Sequence, residues 1–262
     1  MKRPEQPAGI IYDVDDTLLD NQIEVDGSPV NLHEIARLGA VHHVAGELGG
    51  DYIQLGEVDR AENAQSFTQS PFHTVSGAFF TLLQNRNLIS GDIDPEHPII
   101  KRLIELKNET YGTLLAVHGK AVPGADSFVR DFAAHYGTEN TNAIASTAVL
   151  ADIKTFLAMS HLSYLFPDER IFDVSKVSNP KPHPEVFDKA YKSLNLPKHT
   201  PRGDVVAFED DPRGMLSARK AGLYVCAITT RYPRDFLARI DAQPDFIADT
   251  YDEFRHHFNL VS

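Results

Sequence analysis

Short apolar runs rich in β-branched residues recur along this chain, each followed by a polar loop and then a helical pattern. No other feature constrains the fold as strongly. The runs cover residues 9–12, 142–145, 170–174, 204–208, 223–229 and 245–248. Their hydrophobicity is continuous rather than alternating, which suits strands buried on both faces. Helical patterns fall between them at 125–136, 148–162, 184–194 and 212–221. The last has Asp211 as an N-cap, Pro212 at its first position and Gly222 as its stop. Such alternation predicts an α/β fold with a doubly wound parallel sheet and helices on both faces.

The alternation breaks once. From about Asn21 to His118 the chain shows no convincing buried strand but long helical patterns at 32–48, 75–84 and 98–117. Pro123-Gly124 then marks the return to βα alternation. The expectation is a core of residues 1–20 and 119–262, with residues 21–118 forming an inserted helical domain. Phe67, Phe72, Phe79 and Phe80 are read as the core of that insert.

In a parallel sheet, ligands bind beyond the carboxyl ends of the strands. The residues at those ends are polar and mutually compatible. Asp13, Asp15 and Asp16 follow the first run, Ser146 the second, and Glu209, Asp210 and Asp211 the fourth. The loop after the third run leads to Lys181, set in Asn179-Pro180-Lys181-Pro182-His183-Pro184-Glu185. Pro182 favours extended backbone at Lys181, so the ammonium is presented from a stiff segment.

This inventory meets the demands of phosphomonoester cleavage. Asp13 can attack phosphorus and form an aspartyl-phosphate. Asp15 can protonate the leaving oxygen and later deprotonate water, as general acid and base. Crowded carboxylates call for a hard cation, and Mg²⁺ with its preference for oxygen fits. The metal set is Asp13, Asp15, Glu209 and Asp210, with Asp13 and Asp210 the natural pair and Glu209 reaching through water. Lys181 and Ser146 would bind the phosphoryl oxygens as charge builds. Each piece also has a plain structural reading: Asp15 or Asp16 as an N-cap, Ser146 or Thr147 capping the following helix, Lys181 as a surface lysine. Their joint arrival at successive strand ends favours a catalytic site.

At these residues the sequence resembles the haloacid dehalogenase (HAD) superfamily, specifically members with a helical cap inserted after the first motif. This is its phosphatase and beta-phosphoglucomutase-like branch. Asp13-Val14-Asp15-Asp16-Thr17-Leu18 matches the DxDxT nucleophile motif, and Ser146 the Ser/Thr of the second. Lys181-Pro182-His183-Pro184-Glu185 matches the lysine motif, and Phe208-Glu209-Asp210 the acidic one, with Gly214 after it. Three positions depart from the family pattern: Asp16 where glycine is common, Pro180 before the lysine, and Asp211 in place of serine. Asp211 adds a negative charge beside the expected metal site.

The resemblance implies a Rossmann-like core, an all-helical cap and phosphoryl transfer. Family members that cleave carbon–halogen or carbon–phosphorus bonds lack the second aspartate, so Asp15 favours phosphate esters. The expected activity is a Mg²⁺-dependent phosphatase acting on a small phosphorylated metabolite. A sugar-phosphate mutase is the alternative, and a catalytically silent phosphate-binding protein a further one.

The remaining features are plainer. With 25 Lys+Arg against 37 Asp+Glu, the net charge of −12 argues against a nucleic-acid partner. It also requires a local positive centre wherever a phosphate is handled. Cys226, alone of its kind, lies in an apolar run and is read as inert core. The start, MKRPEQPAGI, lacks the apolar stretch of a signal peptide, and no run reaches membrane-spanning length, so a cytoplasmic protein is expected. The pairs His42-His43 and His256-His257 are read as surface or partly buried rather than as ligands. His183 and Arg213 are weak site candidates.

Overall fold

The computed structural model describes residues 1–70, 74–92 and 94–260. Phe72 therefore lies outside the described residues. By its internal contacts the chain divides into two compact units, Met1–Asp20 with Gly119–Ser262, and Asn21–His118.

The first unit opens with β1 (Gly9–Tyr12), whose four residues are all buried, and a short β2 (Leu19–Asp20). The second unit follows with a hairpin of β3 (Gln22–Val25) and β4 (Ser28–Asn31). The helical reading of the insert omitted this hairpin, which is largely unburied. Asp26 and Gly27 form its two-residue turn with φ of 50° and 75°, the positive values that a type I′ turn requires.

Helix α1 (Leu32–Leu48) is capped by the Asn31 side chain, which accepts from the His33 N–H. A 3₁₀ segment, Gly50–Glu57, then leads to α2 (Arg60–Gln69), α3 (Val75–Asn85) and α4 (Pro98–His118). Val41 and Val44 of α1, Phe79, Phe80 and Leu83 of α3, and Ile100 and Leu103 of α4 share one apolar core. Phe79 and Phe80 thus have the packing role expected of them. Phe67 instead lies under the Arg37 guanidinium, 4.7 Å from its ring centroid. His42 is tied through Nε2 to the Val58 carbonyl at 2.7 Å, a structural role.

The chain re-enters the first unit at β5 (Lys120–Ala121), paired with β2, followed by α5 (Ala125–Tyr136), β6 (Asn142–Ala145) and α6 (Leu150–Met159). Next come β7 (Ile171–Phe172), α7 (Glu185–Ser193), β8 (Val205–Glu209), α8 (Pro212–Lys220) and β9 (Tyr224–Ile228). Helix α9 (Arg234–Leu237), β10 (Phe246–Ala248) and α10 (Tyr251–His257) complete it. Six strands form one parallel sheet in the order β10-β9-β8-β1-β6-β7.

Strand periodicity divides the apolar residues between two faces. Ile11, Ala143, Ala145, Val205, Ala207 and Val225 pack with Val186 and Phe187 of α7 and Met215 and Ala218 of α8. Their neighbours in sequence turn to the other face, where Tyr12 stacks on Phe208 at 5.1 Å and Phe208 meets Phe254 edge-on at 5.0 Å. Such aromatic contacts contribute roughly 1 kcal/mol each beyond area burial.

Two elements are shorter than the sequence suggests. The run 170–174 gives only Ile171–Phe172, because the Asp173 carboxylate accepts from the Ser175 hydroxyl (2.9 Å) and starts a 3₁₀ turn. The pattern 148–162 gives Leu150–Met159, ending where the Ser160 hydroxyl donates to the Phe156 carbonyl and His161 takes φ 56°. Among the described residues, no helix is long and apolar enough to cross a membrane.

Candidate active site

The sheet order puts β1 between β8 and β6, so the segments leaving these three parallel strands emerge at one edge. Asp13 leaves β1 with its N–H still bonded to the Phe208 carbonyl at 3.0 Å. The chain then folds into a tight turn in which the Val14 carbonyl accepts from Thr17, Leu18 and Leu19. Asp16, within this turn, has φ 57°, the left-handed region that explains why glycine is common at such a position.

Lys181 reaches this edge from the segment before α7. Its side chain is 7% exposed, and its ammonium donates to Asp13 Oδ1 at 2.6 Å and to Glu209 Oε1. The Phe187 ring lies 5.1 Å from Nζ. Burial alone would lower the pKa of the ammonium, but Asp13 and Glu209 outweigh it and hold it above its ordinary value. Glu185, last residue of the lysine segment, anchors that segment through the N–H groups of Ser178 (3.0 Å) and Asn179 (2.9 Å). Its Lys189 partner and these bonds lower its pKa to about 2.

Both oxygens of Glu209 are engaged, Oε1 by Lys181 and Oε2 by the N–H groups of Asp210 (3.1 Å) and Asp211 (3.2 Å). Gly214 in α8 makes room for this carboxylate, since a Cβ there would sit 1.9 Å from Oε1. Asp210 Oδ1 accepts from the Thr17 hydroxyl at 3.1 Å, and the Tyr251 hydroxyl holds the Thr17 carbonyl at 2.8 Å. Asp210 Oδ2 is buried with no hydrogen-bond partner.

Asp13, Glu209 and Asp210 are all buried and offer carboxylate oxygens within 4.8 Å of one another. Burial first, then Glu209, Asp13 and Asp16, holds the Asp210 carboxyl well above the usual range. At Asp13, burial pushes in the same direction and Lys181 opposes it. With hard oxygen donors and an orphaned oxygen on Asp210, the residues fit a hard divalent cation.

The sequence-predicted residues separate into two groups. Asp13, Lys181, Glu209 and Asp210 converge. Asp15 stands in the turn after β1, half-buried, and is not one of the three clustered carboxylates. Ser146, buried just after β6, accepts from the Ala148 N–H at 3.1 Å, a local turn bond. Helix α6 begins only at Leu150 with Val149 at its N-cap position, so Ser146 does not cap it as its plain structural reading had it. Asp211 caps α8 by accepting from the Arg213 N–H at 2.8 Å, and Arg213 itself folds back onto Asp211. The His183 ring accepts from the Glu185 N–H at 3.2 Å and so serves the turn. His257 is packed against Phe246 with 3.7 Å between ring centroids.

One residue escaped the sequence reading. Arg231, in the loop after β9, lies 3.6 Å from Asp16, 3.7 Å from Asp210 and 3.4 Å from Asp211. Its position just beyond a buried strand run was the available signal.

Comparison with known proteins shows the family. The haloacid dehalogenase-like hydrolase family model matches residues 91–228. Protein CbbY of Rhodobacter capsulatus is 35% identical over 112 residues, 40% of this chain and 46% of that protein. Validoxylamine A 7'-phosphate phosphatase of Streptomyces hygroscopicus subsp. limoneus is 35% identical over 65 residues, 25% of this chain and 29% of that one. The chain thus spans less than half the length of these curated relatives. The crystal structure of CbbY from Rhodobacter sphaeroides in complex with phosphate shares the fold, with a TM-score of 0.65 and 22% identity. The superposition covers 95% of this chain and 96% of that one. The family match spans more than half of the sequence and the parallel sheet carries the expected residues at its edge: this chain belongs to the haloacid dehalogenase-like hydrolases.

Proposed function

We propose that this protein is a Mg²⁺-dependent phosphatase that hydrolyses a small phosphorylated metabolite. The observation that carries the reading is the buried Asp13 carboxylate, held by Lys181 at 2.6 Å beside the clustered oxygens of Glu209 and Asp210. In this reading the unit of residues 1–20 and 119–262 is catalytic, and residues 21–118 form its cap domain.

Asp13 attacks phosphorus; the P–O bond to the leaving group breaks as the Asp13–phosphorus bond forms. Asp15 donates its proton to the departing oxygen. It then takes a proton from the water that attacks the aspartyl-phosphate, which releases phosphate and restores Asp13. Lys181 is within reach of Asp13 and would transfer its donation to the phosphoryl oxygens as their charge grows. Ser146 would bind those oxygens from the end of β6. Asp13 and Asp210 would hold Mg²⁺, which neutralises phosphoryl charge when bound. Glu209, engaged by Lys181 and two backbone N–H groups, would orient the lysine and reach the ion through water.

The test is a panel of phosphorylated metabolites incubated with purified protein and Mg²⁺, with release of phosphate and interconversion of sugar phosphates both measured. Phosphate release that is lost in Asp13→Asn and in EDTA is expected. Isomerised sugar phosphate without release would make the protein a mutase. Full release by Asp13→Asn would refute the mechanism.

A further inference from the structure

Two of the residues that depart from the family pattern, Asp16 and Asp211, both carry a negative charge, and both charges meet the same side chain. Arg231 lies between Asp16 in the turn after β1, Asp210 at the end of β8 and Asp211 at the start of α8. These distances are long: Arg231 makes one weak hydrogen bond, to Asp211 Oδ2 at 3.4 Å, and meets Asp16 and Asp210 at 3.6 and 3.7 Å without one, so the guanidinium acts chiefly as a shared positive centre. Its loop is fastened to the same turn, since the Thr230 hydroxyl donates to the Asp16 carbonyl. Arg231 is 37% exposed, whereas the carboxylates it faces are 6%, 2% and 16% exposed. The oxygen it faces on Asp210 is the buried one without a hydrogen bond.

We propose that Arg231 is the resident counter-cation of this acidic edge. It is a positioning residue that holds Asp16, Asp210 and Asp211 together before a divalent ion binds, and it weakens that ion's binding by competing for the same charge. The second half rests on the metal reading given above; the first does not. Without Arg231 the three carboxylates repel one another in the metal-free protein. Once Mg²⁺ is bound, the ion supplies the missing positive charge and the arginine matters less.

Thermal unfolding of wild type, Arg231→Met and Arg231→Lys in EDTA and in excess Mg²⁺, with calorimetric titration of Mg²⁺, tests this. Arg231→Met should lower Tm in EDTA by about 3 °C. Arg231→Lys should restore most of that loss, and excess Mg²⁺ should erase it. Mg²⁺ should bind Arg231→Met roughly tenfold more tightly than wild type. Asp211→Asn keeps a competent N-cap while removing one charge; in that background the effect of Arg231→Met in EDTA should shrink. An unchanged Tm for Arg231→Met in EDTA would overturn the proposal, as would a loss that neither lysine nor Mg²⁺ repairs. If wild type binds no Mg²⁺, the metal reading and the competition fall together, and the EDTA series alone decides whether Arg231 holds the cluster.

Discussion

Lys181 and Arg231 address one acidic cluster from two sides and hold it in different ways. Lys181 is 7% exposed and touches Asp13 and Glu209 closely, with an aromatic ring beneath it. Arg231 is 37% exposed and stands 3.4–3.7 Å from three carboxylates, with one long hydrogen bond, to Asp211. The buried pair has its desolvation offset by short contacts, so removing either partner strands a charge in the interior. The exposed cation shares its field with solvent and is screened by salt. On the proposed mechanism Lys181 belongs to the reaction geometry, and Arg231 would tune the charge around it.

The largest effect should come from breaking the buried side. Lys181→Met should lower phosphate release at least ~10³-fold in steady-state assays. In urea titrations it should cost about 3 kcal/mol of stability. Gly214→Ala attacks the same pair indirectly, because the new Cβ would collide with Glu209 and displace the partner of Lys181. A loss of roughly 2 kcal/mol is expected in the same titrations, together with reduced turnover. A group remote from the cluster serves as the control. Burial, then Arg3, lowers the pKa of His257 from 6.5 to about 4. Folded His257 thus binds fewer protons than the unfolded chain. Its contribution is complete above pH 6.5 and is lost as pH falls towards 4. His257→Gln should flatten the acid limb of the stability–pH curve by about 1 kcal/mol, leaving the lysine effect unchanged. The smallest effect is the sharpest discriminator: 1 M NaCl should erase the Arg231→Met stability loss in EDTA and leave that of Lys181→Met intact.

Legibility in the sequence followed the same division. Asp13, Glu209 and Asp210 sit in contiguous signatures at the ends of buried strands and Lys181 in one just before α7, so local pattern and strand order together predict their convergence. Arg231 has no such signature, because its partners at 16, 210 and 211 come from two other segments and only the folded sheet brings them near. Glu209 was expected to reach a metal through water; what its sequence position does not show is that Lys181 and two backbone N–H groups also engage both its oxygens. The hairpin Gln22–Val25/Ser28–Asn31 was missed for a different reason. Its Asp26-Gly27 turn is a strong local signal, but the flanking strands are too short and too exposed to show a buried run. The ends of β7 and α6 were overextended because side chains of Asp173, Ser175 and Ser160 bond the local chain in place of regular structure.

The central claim is that Asp13 attacks phosphorus. Trifluoroberyllate mimics a phosphoryl group bonded to a carboxylate, so wild-type protein with Mg²⁺, beryllium and fluoride can be examined by fluorine NMR. A set of protein-bound fluorine resonances that disappears in Asp13→Asn is the predicted result. Absence of any adduct in wild type, or its persistence in Asp13→Asn, would contradict the assignment.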